Sequence, residues 1–163
     1  MIAVGIDPGT TGAVAFVDSR GSCAVFDLPT IALEGSGKIR RRVSGGGLFS
    51  LLREHCPIGE PVVGMLEGVH AIARHSSAEN AIQTQGSLMR STGSIEAALE
   101  IARISFEFVD PKRWKGFYAL GSDKAEALAC ARRLYPLAEL HLAKHHNRAE
   151  SILIAHYCLR SKA

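Results

Sequence analysis

The run Gly5-Ile6-Asp7-Pro8-Gly9-Thr10-Thr11-Gly12-Ala13 lies between two apolar stretches and constrains the fold more than any other part of the chain. Residues 2–5 read as a buried strand and residues 12–17 as the next, so the pair predicts a hairpin closed by a Pro/Gly turn. Asp7 then stands at the end of a core strand, its direction fixed by burial behind it and a tight turn ahead. A carboxylate in that place either caps the turn or grips a divalent cation or a phosphate-bearing ligand. Residues 22–26 read as a third short strand that continues the meander.

The same grammar recurs further on. Residues 61–66 (Pro-Val-Val-Gly-Met-Leu) form an apolar strand, and Glu67 closes it as Asp7 closes the first. Between them, residues 34–47 are Gly/Ser-rich and basic, which reads as a mobile surface loop rather than a domain linker. A short helix follows over 48–55, ended by Pro57. Leu88, Thr92, Ile95, Leu99 and Ala102 recur at spacings of four and three, the apolar stripe of a long helix over 78–103. Residues 105–109 are a strand, followed by Asp110-Pro111. Asp123 and Glu126 are spaced as a capping box for a helix through 134. A last helix spans 145–159. Strands interleaved with helices predict one α/β domain over 1–163, with helices packed on a central mixed sheet of five strands.

Composition excludes several classes. A chain of 163 residues with 47% hydrophobic and 21% charged residues suits a globular domain. No apolar run approaches the roughly 18 residues of a membrane span, and Met1 leads directly into a strand, so neither an anchor nor a leader is expected. Cys23, Cys56, Cys130 and Cys158 form no C-x-x-C pair, which argues against zinc or redox motifs and fits reduced thiols in the cytoplasm. Residues 1–109 hold nine Lys/Arg against eleven Asp/Glu, and residues 110–163 hold ten against five. The basic C-terminal third suits either a polyanion or a solvated surface.

Two strand-end acids converge at one sheet edge if their strands are neighbours. The last helix adds to them. His146 and Glu150 lie one turn apart on one helix face, as do Asn147 and Glu150. Asp7, Glu67, His146 and Glu150 thus make a candidate two-metal site for phosphoryl transfer. Mg²⁺ prefers oxygen ligands, and Mn²⁺ tolerates an imidazole among them.

The run Gly5-Ile6-Asp7-Pro8-Gly9, the strand ending in Glu67 and the segment Arg148-Ala149-Glu150-Ser151, in that order, resemble the RuvC Holliday-junction resolvases, most of all their phage-type members. Val109-Asp110-Pro111-Lys112-Arg113-Trp114-Lys115 and Gly121-Ser122-Asp123-Lys124 extend the resemblance over nearly the whole chain. It implies an RNase H-like fold and a homodimer built partly on the long helix. It further implies Mg²⁺- or Mn²⁺-dependent hydrolysis of branched DNA, with two ions per site, paired nicks across a four-way junction, and 5′-phosphate and 3′-hydroxyl ends. Asp7 and Glu67 match the first two catalytic acids and Glu150 the last. The fourth position departs from the common pattern: an aspartate often stands where this chain has Asn147, and some members put an acid where it has His146. His146 is favoured over Asn147 as the ligand, and His145 is left to a supporting or surface role.

Lys115 and Lys124 match lysines expected to touch the DNA backbone near the cut, and Lys112 and Arg113 flank Trp114 as further phosphate contacts. Trp114 itself is either a stacking platform or core. His70 stands where some members carry an aromatic wedge that enters the junction centre. The Lys38–Arg42 cluster either touches a DNA arm through non-specific charge or is simply solvated. Two other readings share these residues. One is a junction-binding protein with a weakened catalytic centre, for which Asn147 speaks. The other is a fragment of an actin-like ATPase or sugar kinase, whose phosphate loop the opening run also resembles.

Overall fold

Alternation along the first strand decides the architecture. The computed structural model of the chain describes residues 1–34, 40–68 and 78–162, with side chains from residue 84 onward in the last stretch. In β1 (Ile2–Asp7), Ala3 faces one side of the sheet and Val4 and Ile6 the other, and all three are fully buried. A strand apolar on both faces must be covered on both. β1 is accordingly the middle strand of a five-stranded sheet ordered β3-β2-β1-β6-β7.

β2 (Ala13–Asp18) pairs antiparallel with β1, and β3 (Cys23–Asp27) antiparallel with β2. β6 (Val62–Glu67) and β7 (Ser105–Val109) run parallel to β1 and to each other, respectively. A parallel pair needs a crossover, and between β6 and β7 the 24-residue helix α2 (Ala78–Ile101) supplies it. This is the expected mixed sheet flanked by helices.

One face packs on α1 (Gly45–His55) and α2, through Val4, Ile6, Val14, Phe16, Leu66, Leu48, Leu52, Ile95 and Leu99. The other packs on α3 (Pro111–Phe117), α4 (Lys124–Leu134) and α5 (His146–Lys162). Residues Ala149 to Ala155 of α5 are buried without a break, the mark of a helix enclosed all round. It lies so close over β1 that a Cβ on Gly5 would collide with the backbone of Ser151 and Ala155.

Several local expectations need correcting. Residues 34–47 are not one loop: β4 (Thr30–Leu33) and β5 (Arg40–Val43) form a separate antiparallel hairpin. The Arg41 guanidinium donates to Thr30 Oγ1 at 2.7 Å and to the Thr30 carbonyl at 3.0 Å, which ties its two strands. Gly45, Gly46 and Gly47 begin α1, because Ser44 Oγ accepts from Gly47 N at 3.1 Å and caps it, a bond of about 1 kcal/mol. The helix α3 was not anticipated. Asp110 caps it by accepting from Lys112 N at 2.7 Å, with Pro111 in its first turn. At α4, Asp123 accepts from Ala125 N at 2.9 Å, but Glu126 takes the amide of Gly121 at 2.6 Å instead of closing the capping box. Among the described residues no helix is long and apolar enough to cross a membrane.

Candidate active site

The parallel register of β1 and β6 ends at Ile6 opposite Leu66, so Asp7 and Glu67 follow side by side at the carboxyl ends of adjoining strands. Both occupy the odd positions of their strands, on the face that carries Ala3, Met65 and α5. Glu150 comes down on them from the first turns of α5 and is only 7% exposed. The close contact at Gly5 is what lets the helix bring it there.

Electrostatics register the convergence. Burial raises the Asp7 carboxyl well above the usual range, and the charges of Glu67 and Glu150 raise it further, while Lys124 and Lys115 pull it down. Burial also raises Glu67, against a lowering by its hydrogen bond from Trp114, with the Glu150 charge again raising it. Acids that destabilise one another in this way favour a shared cation. As the side chains stand, no three His, Cys, Asp or Glu among the described residues close around a common point. Instead, Lys115 Nζ sits 3.0 Å from Glu150 Oε1 and supplies positive charge to the cluster. Carboxylates such as those of Asp7, Glu67 and Glu150 are hard oxygen donors, the kind that suits Mg²⁺ or Mn²⁺.

The helix α3 braces the two flanking acids. The Trp114 indole donates to Glu67 Oε1 at 3.0 Å, and the next residue, Lys115, is the one paired with Glu150. Trp114 is 0% exposed, so it is no stacking platform for a base. Of the two sequence readings the core one holds, and the one polar atom of the side chain reaches Glu67.

The other candidates divide. Lys115 and Lys124 both lie near enough to lower Asp7. Lys112 is exposed. Arg113 lines a cavity of about 210 Å³ between β7, α3 and the end of α5, together with Glu107, Tyr157 and Lys162. His146 is the first residue of α5 and half-buried, and its side chain makes no hydrogen bond or ion pair among the described residues. Asn147 donates to the Thr11 carbonyl at 2.6 Å and so holds the turn that follows Asp7. Arg148 grips Asp27 at 2.6 and 3.0 Å and reaches Glu139 at 3.5 Å, which pins the start of α5 to the end of β3. His145 is buried beneath it, with Nδ1 unpartnered among the described residues. His70 and Lys38 lie outside the described residues. The contacts of Trp114, Asn147 and Arg148 were not foreseen, since nothing in the local pattern names their distant acceptors.

The five-stranded mixed sheet ordered β3-β2-β1-β6-β7 with helices on both faces is the expected RNase H-like fold, and Asp7 and Glu67 stand at the carboxyl ends of two of its adjoining strands. No family model matches the sequence, and no curated protein matches it. Solved structures do match. RuvC of Thermus thermophilus in complex with Holliday junction substrate aligns over 99% of this chain and 96% of its own, with a TM-score of 0.63 at 16% identity. A second structure of Thermus thermophilus RuvC aligns over 99% and 97%, with a TM-score of 0.56 at 16% identity. The described part of the chain therefore has the fold of these RuvC structures.

Proposed function

We propose that this protein is a divalent-metal-dependent endonuclease of branched DNA, resolving four-way junctions as a homodimer by paired hydrolysis to 5′-phosphate and 3′-hydroxyl ends. The observation that carries the reading is the placing of Asp7 and Glu67 at the ends of adjoining strands, with Glu150 near enough for its charge to raise both carboxyls, on a fold shared with a RuvC solved on a Holliday junction. Asp7, Glu67 and Glu150 hold the ions, and His146, one turn before Glu150 on α5, adds a nitrogen donor. A bound divalent cation supplies Lewis-acid stabilisation of the charge that develops on the phosphoryl oxygens.

The chain's own residues do the rest. Burial of the acids excludes water and strengthens their hold on a cation. Lys115 leaves Glu150 for the phosphate backbone when DNA arrives, and Lys124 meets the same strand from the start of α4. Asn147 keeps the Asp7 turn in place through Thr11. Lys112 and Arg113 extend the DNA contact, and His70 is the residue assigned to the junction centre.

A labelled four-way junction incubated with Mg²⁺ or Mn²⁺ tests the reading. Symmetric nicks by the wild type, lost in Asp7→Asn, are expected. Tight junction binding without nicks in either metal overturns catalysis in favour of a binding module, and DNA-independent ATP turnover overturns both. Within the site, His146→Ala should slow cleavage more than Asn147→Ala. The opposite order, measured as single-turnover rates, removes His146 from the ligand set.

A further inference from the structure

We infer that Trp114 is a positioning residue for Glu67: its indole N–H aims the carboxylate into the site and holds it there before any cation arrives. The inference rests on the metal-site reading above but concerns a residue that touches neither metal nor DNA. Four observations carry it. The indole Nε1 lies 3.0 Å from Glu67 Oε1 across 47 residues of sequence. The ring is completely buried in the core shared by the sheet, α4 and α5, so the donor cannot swing away. The helix that bears it is itself anchored, since Asp110 caps its first turn and Val109, just before, pairs in register with Glu67. Lys115 Nζ, at 3.0 Å from Glu150, lies 5.1 Å from the Trp114 ring centroid, so one short helix braces both acids that flank Asp7.

A glutamate has three side-chain torsions, and one at a strand end samples many rotamers unless something ties it. A buried donor to one carboxylate oxygen removes that freedom and leaves the second oxygen for a cation. Groups that tie metal ligands in this way are typically worth about 10- to 100-fold in metal affinity. A tryptophan that merely filled the core would leave its N–H wherever packing put it and would not respond to events at Glu67.

The chain has a single tryptophan, so its indole N–H gives one resolvable resonance in a ¹⁵N-correlation spectrum. In the metal-free wild type this resonance is expected downfield and protected from exchange. Glu67→Gln, which replaces a charged acceptor by a neutral one, should move it upfield, and titration with Mg²⁺ should shift it. Trp114→Phe keeps an aromatic ring but removes the donor. It should raise the Mg²⁺ concentration for half-maximal effect roughly tenfold, read both as cleavage and as thermal stabilisation of the DNA-free protein. An indole resonance indifferent to Glu67→Gln overturns the proposal. So does a folded Trp114→Phe with wild-type Mg²⁺ dependence. If Trp114→Phe does not fold, the resonance test on Glu67→Gln decides alone. A resonance that follows Mg²⁺ in a protein that never cuts junctions supports the positioning role while overturning the nuclease. Cleavage unaffected by Trp114→Phe does the reverse.

Discussion

The two faces of the sheet are built by the same alternation and end differently. On the α1/α2 face the even residues of β1, Val4 and Ile6, run into Leu48, Leu52, Ile95 and Leu99, all buried and all apolar. On the α5 face the odd residues begin as Ala3 and Gly5 and end as Asp7, with Glu67 beside it on β6. Small residues there let α5 approach, and the approach delivers Glu150 to the acids. One face thus stabilises the fold, while the other gives up stability where its carboxylates crowd. Neutralising a crowded acid should therefore raise stability and lower activity, whereas trimming the apolar face should lower stability and leave the activity of the folded molecules intact.

The largest effect is expected from Asp7→Asn. On the proposed function it removes a carboxylate that holds the cation, and it should lower cleavage by roughly a thousandfold or more, the scale of several kcal/mol of transition-state stabilisation. The same change should raise the melting temperature of the metal-free protein. Folding lifts the Asp7 and Glu67 carboxyls above their ordinary range, so the native state keeps protons that the unfolded chain has released. Stability then falls as pH rises from the ordinary carboxylate range through the raised folded values, and the penalty is complete above them. Melting curves across that window should flatten in Asp7→Asn, and Mg²⁺ at neutral pH should restore the wild type. On the opposite face Leu52→Ala should cost about 2–5 kcal/mol of stability while the molecules that remain folded cut at nearly the wild-type rate. An Asp7→Asn protein that melts lower than wild type at neutral pH would erase the contrast between the faces.

Gly5→Ala tests how the contrast is built. The added methyl meets the backbone of Ser151 and Ala155 rather than a flexible side chain, so the helix itself must shift. Overpacking of this kind costs about 1–3 kcal/mol. Because Glu150 rides on the same helix, the variant should lose metal-dependent cleavage beyond what its lower stability explains. Equal losses in stability and in the rate per folded molecule of a control such as Leu52→Ala would show that the spacing at Gly5 matters only for packing.

How far these relations could be read in advance depends on their range along the chain. The five sheet strands were legible because period-two alternation and turn residues are local signals, and the acids because each directly closes such a strand. The hairpin of β4 and β5 was hidden by its glycines and arginines, whose pairing comes from Arg41 bonding Thr30 rather than from any apolar pattern. The helix α3 was hidden by its length of seven residues, too short to display a period. Trp114 meets Glu67 only once α3 is docked beside β6, and Asn147 meets a carbonyl 136 residues away. Neither acceptor is marked by spacing, so the candidate acids stand out in the sequence while the groups that hold them do not.

The smallest effect separates a structural pin from the site next to it. Arg148 stands two residues before Glu150, yet its guanidinium turns away to Asp27 and Glu139. Both partners are largely exposed, so the network is worth at most about 1 kcal/mol and is weakened by salt. Arg148→Ala should therefore lower the melting temperature slightly at low ionic strength and hardly at all at high. Cleavage should change only as far as the start of α5 loosens, which Asn147 resists through its bond to Thr11. Pairing Arg148→Ala with Asn147→Ala removes both restraints on that helix end. A double variant that loses more cleavage than the two single losses combined would place the α5 terminus, rather than either side chain alone, in control of where Glu150 stands.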